Sequence, residues 1–291
     1  MARFDYFEPD HLDEVFDLLG KYGEDARVVA GGQSLLILIR QGLLRPSALI
    51  SLDRISSLRE ISHKGNEIIL GAMVTQSELS AEDRIRKHLP VLAQAASKVG
   101  SVHVQNLGTV GGNLSHAEPN GDSAPALLSA GAAIRASSLR GEREIPLESF
   151  FRGPFENVLE ADEALTQIHI PVPPNDARSI YLKHVLRAVD RATVSVGLMM
   201  QVDREGRCQT VRIGLGGAGP TPVRAKKAEA LLEKEKITDS IIEAAGMEVS
   251  RNCDPLSDAH GPAEYKRKMA GLLTKRAIRQ VVEAYSKKRE V

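Results

Sequence analysis

The sequence predicts an α+β protein built from two or three lobes, and three observations carry that prediction. The first fifty residues alternate short apolar runs with helical spacing, in the order strand, helix, strand, helix, strand. A cluster of prolines, Pro171-Val172-Pro173-Pro174, interrupts the chain where neither strand nor helix can continue. After it, three β-rich runs are followed by three helical ones, the order of a compact α+β lobe. A chain of 291 residues can bury a substantial core and divides naturally into more than one lobe.

In chain order, Phe4 to Phe7 reads as a short strand ending before Pro9, with Asp10 placed to cap the next helix. Leu12, Val15, Phe16 and Leu19 recur at helical spacing up to Gly23. A strand from Arg27 to Ala30, a glycine pair, a helix from Ser34 to Gln41 and a strand from Ala48 to Leu52 complete a lobe that closes near Asp53. Glu67 to Ala72 begins a second pattern as a strand. Thr75-Gln76-Ser77-Glu78 is a capping box, and Pro90 suits the first turn of a helix from Val91 to Val99. Ser101 to Gln105 reads as an extended lead into a second glycine stretch, and Ser123 with Pro125 opens a short helix that Gly131 ends. Ala133 to Ser138 and Arg143 to Pro146 form a hairpin around Arg140-Gly141, with one more strand from Ala164 to Ile170. Beyond the prolines, Ser179 to Val185, Thr193 to Val202 and Gln209 to Leu215 are strands, and Pro222 to Lys236, Asp239 to Val249 and Ala263 to Lys287 are helices.

Composition narrows the functions. Lys plus Arg and Asp plus Glu both number 38, so the basic excess of a nucleic-acid binder is missing. The richest apolar run, Leu35 to Ile39, stops at Arg40, far short of a bilayer span. Met1-Ala2-Arg3-Phe4-Asp5 is charged and has no apolar leader, so a cytoplasmic location is expected. Two isolated cysteines, Cys208 and Cys253, cannot ligate an iron–sulfur cluster or a structural zinc, and the histidines show no metal-ligand spacing. No metal site is expected.

Two glycine stretches carry the chemistry. In Gly108-Thr109-Val110-Gly111-Gly112-Asn113 the missing side chains permit left-handed backbone, so successive N–H groups can converge on one anion. Val28-Val29-Ala30-Gly31-Gly32-Gln33-Ser34-Leu35-Leu36 runs from an apolar strand through a glycine pair into a helix, where unpaired N–H donors meet a phosphate. Either pair alone is more often a plain turn than a ligand site. Together they point to a diphosphate, although neither matches the usual mononucleotide or dinucleotide fingerprints. Gly214-Leu215-Gly216-Gly217-Ala218-Gly219 does match G-x-G-x-x-G after a strand. Pro220 and Pro222 intervene before any helix, however, so a structural turn is expected there.

These residues resemble the FAD-binding medium subunit of the molybdenum hydroxylases, a family that includes carbon monoxide and xanthine dehydrogenases. Gly216 to Ala225, Ser257-Asp258 and Glu264-Tyr265-Lys266-Arg267 extend the likeness to the C-terminal lobe. The resemblance implies a two-lobed FAD-binding domain of the vanillyl-alcohol-oxidase (PCMH) type over residues 1–174, with lobes of about 1–53 and 54–174. A C-terminal lobe over 175–291 would hold a three-stranded antiparallel sheet and three helices. It implies that Ala30, Gly31, Gly32, Gln33, Ser34, Leu35, Thr109, Gly111, Gly112 and Asn113 hold FAD, with Asp122 hydrogen-bonding the cofactor and Lys183 near the flavin's pyrimidine edge. It also implies partners: an iron–sulfur small subunit and a molybdopterin large subunit, in a hetero-oligomer.

Some positions are neutral or depart from the family. Without the resemblance Asn113 reads equally as a turn residue, while Asp122 reads rather as the neighbour of a helix cap and Lys183 rather as a solvated lysine. His116 and Glu118 share the second loop, but nothing places them near a substrate proton, and no catalytic residue is assigned. His103 and Gln105 stand where the family has Gln and Arg, and Arg191 stands where it carries an aromatic near the flavin ring. The expected function is an electron-transfer subunit that accepts electrons from a partner's clusters and passes them to NAD, quinone or oxygen. A stand-alone flavin oxidase and a non-redox scaffold are the alternatives, and an absorbance spectrum with FAD separates them.

Overall fold

The computed structural model describes residues 4–289; Met1-Ala2-Arg3, part of the charged start from which a cytoplasmic location is expected, lie outside them. The first lobe is a three-stranded parallel sheet in which Ala48–Ser51 lies between Asp5–Phe7 and Ala26–Val29. The helix Leu12–Tyr22 turns Val15, Phe16 and Leu19 onto it, and Gly23, at φ 54°, ends that helix. Asp10 does not cap it. His11 takes the capping position without a side-chain bond, and Asp10 lies 3.8 Å from Arg54 instead.

The second lobe is a five-stranded antiparallel sheet ordered Ile61–Lys64, Glu67–Gly71, Ala164–Pro171, Ala133–Ser138, Gly141–Pro146. Ile168 pairs with Leu70 on one side and Ile134 on the other, which places three fully apolar side chains at the centre of the core. The capping box forms as expected: Thr75 Oγ1 accepts from Glu78 N at 3.2 Å and Thr75 N donates to Glu78 Oε2 at 2.7 Å. Pro90 opens the helix Pro90–Ala96, and Gly131 at φ 73° closes the helix Ser123–Ala130. The stretch read as extended, Ser101 to Gln105, is instead part of a helix, Val102–Leu107, because Ser101 Oγ accepts from Val104 N at 3.4 Å and nucleates the turn.

The third lobe is a four-stranded antiparallel sheet of Arg178–His184, Val194–Val202, Cys208–Gly216 and Val223–Arg224, covered by the helices Lys226–Leu232, Asp239–Asn252 and Ala263–Arg289. The two-residue fourth strand pairs with Gly214 and Leu215, which is why the first helix starts at Lys226 rather than Pro222. Cys208 and Cys253 are buried free thiols, and burial pushes both up to about 12. No described helix is long and apolar enough to cross a membrane.

The second and third lobes meet on the helix Ser123–Ala130, which is buried along its whole length. A Cβ at Gly214 would lie 2.1 Å from Pro125 O, and one at Gly197 2.5 Å from the same atom. Gly214, the first glycine of the stretch that imitates a dinucleotide fingerprint, and Gly197 on the neighbouring strand therefore admit a helix backbone onto the sheet. Across the same junction Glu148 binds both Arg224 and Lys226 at 2.5 Å, while Arg224 also pairs with the buried Glu229.

Candidate functional site

The two glycine stretches touch. A Cβ at Gly31 would lie 1.7 Å from Leu107 O and 3.1 Å from Gly108 Cα, so the backbones pass in direct contact. Gly32 adopts φ +67°, the left-handed turn that carries the chain from strand Ala26–Val29 into helix Leu35–Arg40. Gln33 folds back on this turn, with Nε2 donating to Gly31 O at 3.0 Å. The backbone N–H groups of Gly31, Gly32, Gln33, Ser34 and Leu35 have no protein acceptor among the described residues. They are five consecutive donors, all in half-buried residues beside the second stretch.

The second stretch differs from expectation. Gly108, Gly111 and Gly112 are not left-handed; Val110–Ser115 is a helix capped by Thr109, whose Oγ1 accepts from Gly112 N at 3.1 Å. Its amides are already used, Val110 N on Val74 O at 2.9 Å, Gly111 N on Ala72 O at 2.9 Å and Asn113 N on Thr109 O at 3.0 Å. Gly111 serves close packing, since a Cβ there would meet Ala72 Cβ at 2.6 Å. Gly112 turns its bare face to Ala30, whose Cβ would be 3.5 Å from an added one. The first stretch thus supplies the backbone donors and the second a rigid wall. Asn113 adds a side-chain amide with no hydrogen-bond partner among the described residues, facing Gly121.

Asp122 and Lys183 come together, with Nζ 2.9 Å from Oδ2 and both side chains nearly inaccessible, at 3% exposure for Lys183 and 6% for Asp122. Lys183 is therefore not a solvated surface lysine. Lys183 Nζ also donates to Lys98 O at 2.8 Å, and Tyr181 OH donates to Asp122 Oδ1 at 2.5 Å. Lys98 Nζ closes the circuit on Tyr181 O at 3.3 Å, lying 5.7 Å from the centre of the Tyr181 ring. Burial pushes the Asp122 carboxyl up, opposed by Lys183, Tyr181 and Lys98. The same burial raises the Tyr181 phenol well above its usual range and pushes the Lys98 ammonium down. Asp122 occupies the position before the helix Ser123–Ala130 but makes no side-chain cap bond, because both its oxygens face the strand Arg178–His184.

Tyr181 and Lys98 did not emerge from the sequence. Tyr181 stands two positions before Lys183 on one strand face, a spacing that does place them side by side. Lys98 carries no local signal, since it arrives from another element. Gln76 is a third addition: it is buried beside the second stretch, its N bonds Gly108 O at 2.9 Å, and its side-chain Nε2 has no partner.

The remaining positions are accounted for locally. Gln105 Nε2 donates to Ser97 O at 3.1 Å, and His103 is an exposed helix residue. His116 packs on the Phe155 ring at 5.2 Å between centroids, and burial pushes its imidazole down. Arg191, largely exposed, reaches Glu118 at 2.5 Å. The described residues hold no cluster of metal-ligating side chains.

Comparison with known proteins agrees along nearly the whole chain. Residues 2–173 match the family described as the FAD binding domain in molybdopterin dehydrogenase, and residues 180–281 match the CO dehydrogenase flavoprotein C-terminal domain. The carbon monoxide dehydrogenase medium chain of Hydrogenophaga pseudoflava is 31% identical over 95% of this chain and 96% of its own length. The nicotine 6-hydroxylase medium subunit of Paenarthrobacter nicotinovorans is 32% identical over 96% of both. Among solved structures, carbon monoxide dehydrogenase from H. pseudoflava superposes with a TM-score of 0.94 at 33% identity, covering 97% of this chain and 98% of that one. Quinoline 2-oxidoreductase from Pseudomonas putida 86 follows at 0.91 and 31%, covering 97% of this chain and 98% of that one. The chain belongs to the family of FAD-binding medium subunits of molybdenum hydroxylases, and its fold is the two-lobed FAD-binding domain with the C-terminal domain of that family.

Proposed function

We propose that this chain holds FAD between its two glycine stretches and serves as the electron-transfer subunit of a heteromeric molybdenum hydroxylase. The observation that carries the reading is the row of five N–H groups at residues 31–35 without an acceptor among the described residues, beginning where Gly31 presses against Leu107 and Gly108. The residues present fit FAD: a diphosphate needs several convergent donors with no competing acceptor, and an amide such as Asn113 can both donate and accept. In this reading Ala30, Gly31, Gly32, Gln33, Ser34 and Leu35 supply the diphosphate donors, while Thr109, Gly111, Gly112 and Asn113 form the opposite side. Asp122 and Lys183 face the ring.

When bound, the flavin supplies two-electron chemistry, accepting electrons from iron–sulfur clusters and releasing them to NAD, quinone or oxygen. The chain's own residues position the cofactor and set its potential, and none acts as nucleophile, metal ligand or general acid. Lys183 brings a positive charge that favours the anionic reduced ring. The partners are an iron–sulfur small subunit and a molybdopterin large subunit, the location is cytoplasmic, and the division of the chain falls at 1–174 and 175–291. The oxidised partner substrate would bind on the large subunit.

The test begins with the purified chain. Reconstitution should give flavin absorbance bands with one FAD per chain, and reduction should occur only when the partner subunits and their substrate are added. A chain that takes up no FAD, or one that is reduced by substrate alone, refutes the assignment.

A further inference from the structure

We infer that Tyr181 is a positioning residue for the flavin's charge partner: its hydroxyl, held inside the protein, clamps Asp122 as a carboxylate, so that the Asp122–Lys183 pair keeps fixed charges toward the ring. The inference rests on the reading that Asp122 and Lys183 face the flavin.

Tyr181 is 1% exposed, and its side chain belongs to the core of the second lobe although its backbone belongs to the third. Its hydroxyl approaches Asp122 Oδ1 at 2.5 Å while Lys183 takes Oδ2 at 2.9 Å, so the two carboxylate oxygens have separate, dedicated donors. The backbone that carries the phenol is itself fixed. The Tyr181 N–H donates to Gln94 Oε1 at 2.8 Å, and its carbonyl accepts from Lys98 at 3.3 Å. Every charged or titratable group facing Asp122 among the described residues is part of this set: Tyr181 and Lys183 from the strand Arg178–His184, and Lys98 from just beyond the helix Pro90–Ala96. The helix that Asp122 precedes contributes none, its residues being Ser123-Ala124-Pro125-Ala126-Leu127-Leu128-Ser129-Ala130.

Burial favours the neutral acid, and donors to the carboxylate oppose it. With one donor of two removed, the balance moves toward protonation. A negative charge arriving on the ring would then draw a proton onto Asp122, and half of the ion pair would vanish during turnover. Tyr181 prevents that exchange, and flavin reduction is left without a linked proton at this carboxylate.

The experiment compares wild type, Tyr181→Phe and Lys183→Met as FAD-loaded complexes, measuring FAD content and the flavin midpoint potential against pH. The expected result for Tyr181→Phe is normal FAD content with a potential that falls more steeply with pH than in wild type, the signature of an added proton taken up on reduction. Lys183→Met should lower the potential, and this arm tests the underlying placement. An unshifted potential in Lys183→Met removes the pair from the ring and this inference with it. A shifted potential in Lys183→Met, beside a wild-type slope in Tyr181→Phe, overturns the role of Tyr181 alone. Should Tyr181→Phe fail to fold, redox-difference infrared spectra of the wild-type complex decide. No protonated-carboxyl band assignable to Asp122 should appear on reduction near neutral pH, and its appearance refutes the clamp.

Discussion

Replacing Gly31 by alanine probes the contact between the two stretches most directly. The new Cβ would lie 1.7 Å from Leu107 O, roughly 1.3 Å short of the 3.0 Å that real Cβ atoms respect. The wall cannot retreat, because Gly108 N is bonded to Val104 O at 2.7 Å, Gly108 O to Gln76 N at 2.9 Å and Val110 N to Val74 O at 2.9 Å. The first stretch is held by bonds local to its own turn, Leu36 N on Gly32 O at 3.2 Å, Ile37 N and Leu38 N on Ser34 O at 3.1 and 3.2 Å, and the Gln33 side chain. It is therefore the side that moves, carrying its N–H row away from the wall. Overpacking of this kind costs about 1–3 kcal/mol of stability, or about 2–4 °C of melting temperature per kcal/mol in a chain of this size class. Losing one donor to a charged diphosphate costs about 1.5–3 kcal/mol, and every 1.4 kcal/mol is about tenfold in affinity. FAD should bind roughly ten- to a hundredfold more weakly, read by flavin fluorescence quenching as the apoprotein is titrated. Gly20→Ala is the control, since a Cβ there meets nothing within 4 Å and a helix interior favours alanine. Wild-type FAD affinity and melting in Gly31→Ala would refute the contact and the site built on it.

Four further outcomes follow from the same structure. Asn113→Ala should weaken FAD binding several-fold, by about 1 kcal/mol, and leave the apoprotein's melting temperature unchanged, because the side chain makes no bond among the described residues. Thr75→Ala removes the Oγ1 side of the capping box, leaving the backbone N–H of that position on Glu78 Oε2, and should cost about 1 kcal/mol by denaturant titration. Arg224→Met strands Glu229 inside the junction between lobes and should cost about 3–5 kcal/mol, seen as a large fall in melting temperature. For acid stability, the Arg143 guanidinium beside Glu163 holds its carboxyl below the ordinary 4.5. A depressed carboxylate contributes stability that is complete above 4.5 and lost as pH falls through the lower folded value, so Glu163→Gln should flatten the acid limb of a stability–pH curve below 4.5 and lower the plateau. An unchanged acid limb would show that the Arg143 bond does not bias the titration.

Much of the fold was readable because it rests on local chemistry. Helix ends announced themselves where one residue does the work, as at Thr75 with Glu78, at Pro90 and at Gly131. The hairpin Ala133–Ser138 with Gly141–Pro146 followed from alternation and its turn. What could not be read was set by partners distant along the chain. Ser101 to Gln105 alternates like a strand, yet a single hydroxyl cap makes it helical. Gly111 and Gly112 looked like anion binders, but whether an amide is free depends on Ala72, Val74 and Thr109, and those acceptors take them all. The first pair escaped that fate because it turns at Gly32 before its helix begins. Asp122 and Lys183 were each assigned separately by resemblance, and only their meeting in space shows a buried pair with Tyr181 and Lys98 around it.

Tyr181 gives the chain's division an asymmetry. Its ring fills the interior of the lobe before the prolines, while its main chain is hydrogen-bonded into the sheet after them. A fragment cut at the proline cluster would lose that ring and keep the space it occupied, beside an acid whose hydroxyl and ammonium donors had both left with the other piece. The N-terminal fragment would then carry a wet hollow where a folding unit needs a sealed one. Separate expression of the two pieces, followed by mixing, should recover a defined product only when both are present.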